Sequence, residues 1–143
     1  MSIYLEDADL ERVARELAAR TLPRSAWTHA AHFAAALWLL HERGLQTCLR
    51  QVPQMIRAYN EASGVHNTEY GGYHATITIA SLRAGEAWLS ARAPRPLHVT
   101  LTELLTGPYG RSDWPLAFWL PATLFGVAAR RHWVDPDLKA LPF

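Results

Sequence analysis

The sequence predicts an all-α fold: a compact single-domain bundle of five to six helices over residues 1–143, closed by an extended C-terminal tail. Three observations carry that prediction. Apolar residues recur every three to four positions through most of the chain, which places them on one helical face. Strand signals are nearly lacking, since the one β-branched run, "TITI" at 76–79, has no evident partner. Proline and glycine fall mainly between the periodic segments, where helices stop.

The elements follow in order. Residues 5–19 put Leu10, Val13, Leu17 and Ala18 on one face behind an acidic first turn that suits the helix dipole, and Pro23 closes the segment. Ser25 or Thr28 caps a second helix that runs to about His41 and stops at Gly44. Residues 45–62 form a third, with Leu49, Val52, Ile56 and Tyr59 inward and Pro53 expected to kink or split it. "SGVHNTEYGGYH", 63–74, is the longest loop. In the segment that follows, the spacing of Ile77, Leu82 (or Ser81) and Trp88 favours a helix over a strand. "RAPRP" turns the chain into a helix over about 98–105, "TGPYGRSD" is a loop, and a short helix occupies 121–132. The proline-punctuated "VDPDLKALPF" packs over the surface as an extended tail. Most of the six tryptophans belong to the core.

Composition excludes several function classes. Half of the residues are apolar and 19% charged, an ordinary globular balance rather than a disordered one. The net charge is +1 and the arginines are dispersed, so no basic stripe for nucleic acid forms. Cys48 is the only cysteine, which rules out a disulfide framework and a thiolate metal cluster. The acidic, amphipathic N-terminus is unlike a secretory leader, and "WPLAFWLPATLFGVAA" is interrupted by Pro115 and Pro121. The expectation is a cytoplasmic protein with no membrane and no nucleic-acid partner. A small-molecule substrate and, as an open alternative, a second copy of the chain remain.

The histidines hold the clearest chemical signal. His29 and His32 lie three residues apart at the head of an apolar helix, separated by roughly 60° around its axis. Such a pair also simply packs and hydrogen-bonds in many helices. Two imidazoles supply half of a metal site, and bundles complete such sites from facing helices. His74, where the glycine-rich loop enters a helix, is the best third donor. His66 is a loop residue nearby, His41 lies three turns from His29, and His98 and His132 have surface or packing contexts. Trp27, Tyr59, Tyr70 and Tyr73 fall near the histidines and suit a pocket lining. Arg57 is either a solvated helix residue or an anchor for an anionic substrate, whereas Asn60, Asn67 and Thr68 read as turn and cap residues.

The motifs W-x-H-x-x-H (Trp27, His29, His32), "IRAYN" (56–60), "NTEYGGYHATIT" (67–78) and "AARRHWVDPDL" (128–138) resemble those of an uncharacterised family of small helical bacterial proteins. They extend over roughly four-fifths of the chain. The resemblance singles out His29, His32 and His74, which fall inside the shared motifs, from His41, His98 and His132, which do not. It also marks a departure, because family members often carry glutamate after the third histidine and this chain has Ala75. An activity that uses that glutamate is then lost or altered here.

The expected function is therefore a small-molecule enzyme with one divalent transition metal ion, iron, copper or zinc, held by His29, His32 and His74. The missing carboxylate tilts the reading toward iron or copper redox chemistry. Zinc-dependent hydrolysis or lyase chemistry, with Glu61 or Glu69 moving the proton, is the first alternative. A non-enzymatic metal- or ligand-binding module is the second, and a metal-free site with His74 as general base is a third. Catalytic candidates are His74, Tyr73 and Glu69. Substrate-binding candidates are Trp27, Arg57, Tyr59, Asn67 and Tyr70.

Overall fold

The computed structural model describes residues 3–143, and every regular element among them is helical. Helix α1 (Asp7–Ala19) starts where the Asp9 carboxylate accepts the backbone N–H groups of Leu5 (2.8 Å) and Glu6 (3.0 Å). Its inner face is Leu10, Val13, Ala14 and Leu17. A 3-10 turn at Arg24–Ala26 absorbs Ser25 and hands the cap of α2 (His29–Arg43) to Thr28, whose Oγ1 accepts from Ala31 N–H at 3.2 Å. Of the two caps the sequence allows, Thr28 is the one used.

Helix α2 is the centre of the bundle. Phe33, Ala34, Leu37, Leu39 and Leu40 are buried, and α1, α3, α4 and α5 all pack on it. Gly44, at φ 78°, ends α2 and starts α3 (Leu45–Ala62) without an intervening loop. Pro53 lies inside α3 yet does not divide it. Buried Cys48, Val52 and Tyr59 hold the helix against its neighbours on both sides of the proline.

The "TITI" run belongs to α4 (Ala75–Ser90), as its apolar spacing requires. Its two threonines both give their hydroxyls to backbone carbonyls, one within the helix and one in the tail. Thr78 Oγ1 donates to His74 O at 2.8 Å, and Thr76 Oγ1 donates to His132 O at 2.9 Å. Helix α5 (Leu97–Thr106) is joined to the start of α1, because the Asp7 carboxylate accepts both the backbone N–H (2.9 Å) and the Nδ1–H (2.8 Å) of His98.

The segment expected as one short helix at 121–132 forms two: α6 (Pro121–Leu124) and α7 (Val127–Arg131). Gly126 is extended (ψ 161°) and separates them. Seven α-helices result among the described residues where five to six were expected. The tail is pinned rather than loosely laid. Trp119, fully buried, donates Nε1–H to Val134 O (2.9 Å), Val134 N–H donates to Thr76 Oγ1 (3.2 Å), and Leu138 N–H reaches Phe118 O (2.9 Å). Of the tryptophans, Trp114 and Trp119 are core, while Trp27, Trp38, Trp88 and Trp133 are half-buried and pack against it. No helix of the described residues is long and apolar enough to cross a membrane.

Candidate functional site

The three histidines come from the expected elements but turn to different neighbours. His29, in the first turn of α2, donates Nε2–H to Tyr109 O at 2.7 Å and meets Phe33 edge-on. His32, one turn later, donates Nδ1–H to Thr28 O at 2.6 Å and stacks on Trp27, with ring centroids 3.8 Å apart. His74 is buried and caps α4: Nδ1 accepts the Ile77 N–H at 3.2 Å, and Nε2–H donates to Leu124 O at 2.7 Å.

That last arrangement bears directly on the expected metal. An imidazole ligand needs a bare nitrogen, and both nitrogens of His74 are already engaged within the protein. Among the described residues, no three histidine, cysteine or acidic side chains are grouped as an iron, copper or zinc ion requires. As placed, then, the trio does not fit a metal. The same geometry disqualifies His74 as a general base, since its one acceptor nitrogen is the helix cap.

His32 is different. Solvent reaches its ring although protein crowds it on most sides, as on the wall of a concavity. That crowding lowers its pKa. The Thr28 carbonyl opposes the shift, and the neighbouring His29 and Arg24 add to it. Because Nδ1 carries the proton to Thr28, the neutral ring keeps Nε2 as its bare acceptor. His32 and Trp27 form one side of a cavity of about 60 Å³ at the junction of α1, α2, α3 and α4. The other walls are apolar or weakly polar, with Leu17, Ala36, Ile56, Ile77, Thr78 and Ser81 among them. Small side chains at Ala35 and Ala36 of α2 leave this space open.

A second concavity, of about 220 Å³, collects four other predicted residues: Arg57, Asn67, Glu69 and Tyr73, joined by Thr68, Arg130 and Arg131. Asn67 is here the keystone of the loop rather than a ligand contact. Its Oδ1 accepts from Asn60 Nδ2 and Tyr73 N–H, both at 3.0 Å, and its Nδ2 donates to Arg57 O at 3.1 Å. Thr68 Oγ1 accepts the N–H groups of Tyr70 and Gly71, each at 3.1 Å, in the turn role its residue type suggests. Glu69 is paired with Arg131, and no histidine lines the concavity it belongs to. The Tyr73 ring is buried beneath the Arg57 guanidinium (4.7 Å), and burial raises its hydroxyl pKa, against the influence of Arg57 and Thr78.

The remaining predicted contacts fall outside both concavities. Tyr59 is fully buried and donates its hydroxyl to Leu22 O at 2.9 Å, a structural role that keeps it from a ligand. Tyr70 stands in solvent, 84% exposed, beyond the rim. Glu61 and His66 are exposed. Sequence reasoning left Arg130 and Arg131 without a site. Their adjacency in "AARRHW" offered no signal, because the partner elements lie about 60–75 residues earlier in the chain.

No known family, curated protein or solved structure matches this chain in the comparisons made.

Proposed function

We propose that this chain is a small-molecule-binding protein whose cavity between α1, α2, α3 and α4 receives part of an organic ligand, with His32 as the polar contact and Trp27 as the stacking wall. The observation that supports it is the state of His32: neutral, oriented by Thr28 O, stacked on an indole, and bare at Nε2 beside an apolar space. A cavity of about 60 Å³ holds only a few heavy atoms, on the scale of two waters. The fitting ligand therefore inserts a small hydroxylated end and leaves its remainder at the mouth. The chemistry available is hydrogen-bond acceptance and, for a sufficiently acidic hydroxyl, proton uptake at Nε2. The resulting imidazolium keeps its Nδ1–H on Thr28.

The test is an NMR screen of untagged protein against short alcohols and phenols, reading the His32 ring nitrogens. Fragments that fit should shift Nε2 and lose their effect in His32→Gln, which removes the imidazole, and in Ala36→Val, which fills the cavity. Fragments that never perturb His32 would overturn the proposal.

The alternative is an iron, copper or zinc centre on His29, His32 and His74. One feature favours it. Each of the three rings gives an N–H to a backbone carbonyl, as metal-bound imidazoles do. It requires His74 to release the Ile77 cap. Elemental analysis of the untagged protein decides: stoichiometric metal that disappears in His29→Ala, His32→Ala and His74→Ala establishes the centre.

A further inference from the structure

The concavity between α3, the 63–74 loop and α7 is independent of the His32 cavity and carries its own chemistry. Arg130 enters it from α7 with Nη1 fixed on Gly72 O (3.2 Å) and Tyr73 O (3.4 Å). Its Nε is buried and has no hydrogen-bond partner. That Nε is closed to solvent as well as unpaired, so an anion in the concavity meets the guanidinium from its terminal side. Arg57 lies across the same space. Its guanidinium rests on the Tyr73 ring and makes no ion pair among the described residues. Arg131 is the third, already paired with Glu69.

Charge and size narrow the ligand. Three guanidinium groups against the single Glu69 carboxylate leave two net positive charges among the lining residues. A monocarboxylate neutralises half of that, whereas a phosphate monoester neutralises nearly all of it near neutral pH. Guanidinium forks also match phosphate oxygens in a paired geometry that an ammonium lacks. The volume of about 220 Å³ leaves room for an organic group beyond the phosphate itself. We infer that this basin is a binding site for a phosphate monoester, with the guanidinium groups of Arg57 and Arg130 as its principal donors.

The experiment titrates the full chain with glycerol phosphate, inorganic phosphate, sulfate, acetate and chloride while following the arginine Nε–H resonances by NMR. Saturable shifts of Arg130 and Arg57 with glycerol phosphate are expected, with acetate and chloride much weaker. Arg57→Gln should weaken binding about tenfold, the worth of one charge-assisted hydrogen bond. Arg130→Lys, which keeps the charge and loses the planar guanidinium fork, should do the same. Thermal unfolding of both variants, recorded in parallel, separates loss of binding from loss of fold. Acetate binding as tightly as glycerol phosphate overturns the phosphate assignment. Inorganic phosphate that binds while glycerol phosphate does not overturns the monoester. The absence of saturable shifts with any anion overturns the site.

Discussion

At the scale of single residues, desolvation by surrounding protein sets the protonation of His74 and His32. His74 is held neutral chiefly by desolvation, with the Leu124 bond opposing and the Arg130 charge adding to the shift. An unfolded imidazole takes its proton near pH 6.5, but folded His74 and His32 take theirs at lower pH. The unfolded chain therefore binds more protons in that window, and stability falls as pH drops from about 6.5 through the folded pKa values. Above that window their contribution is complete. Urea midpoints at pH 7.5 and 5.5 should show this loss. His74→Asn, which keeps an N-cap acceptor but cannot titrate, should reduce it. His74→Ala removes the cap and leaves Leu124 O unpaired, so it should cost about 2–3 kcal/mol at pH 7.5 in the same measurement.

At the scale of elements, the 63–74 loop is a built structure rather than a slack connection. Asn60 and Asn67 lock it to the end of α3, Arg24 donates to Asn60 Oδ1 at 2.9 Å, and Thr68 turns it toward Gly71. Gly72 has φ 81°, and a methyl there would lie 2.5 Å from His66 O and 2.7 Å from Asn67 Oδ1. Gly72→Ala should therefore destabilise the protein by about 2 kcal/mol or more and raise hydrogen exchange across the loop. Because Gly72 O also receives Arg130, the same change should disturb the anion basin. The length and composition of this loop were legible in the sequence. Of the two roles the sequence allows Asn67, turn residue or substrate contact, its bonds to Asn60, Arg57 and Tyr73 serve the first.

At the scale of the whole molecule, the tail connects the last helices to the bundle. Thr76, fully buried in the first turn of α4, donates to His132 O and accepts from Val134 N–H. This clamp fixes the chain immediately beyond Arg130 and Arg131. Thr76→Val preserves the shape and loses both bonds, so about 2 kcal/mol of stability should disappear. Limited proteolysis should then cut near residues 132–135 sooner than in the parent. The two arginines should also lose their alignment, which anion titration of the variant measures.

The sequence by itself determined the all-α class, the extents of the long helices and the 63–74 loop, because apolar period, caps and glycines act over a turn or two of chain. It also singled out Trp27 and His32 of one concavity and Arg57, Asn67, Glu69 and Tyr73 of the other as site candidates. Only the tertiary structure decided how they group. It sent His29 to Tyr109 and His74 to Leu124, left His32 bare beside a cavity, and brought Arg57 to Arg130 and Arg131 across more than seventy residues. Hydrogen-bond partners of this kind are selected by packing between distant elements, and residue spacing along one helix carries no information about them.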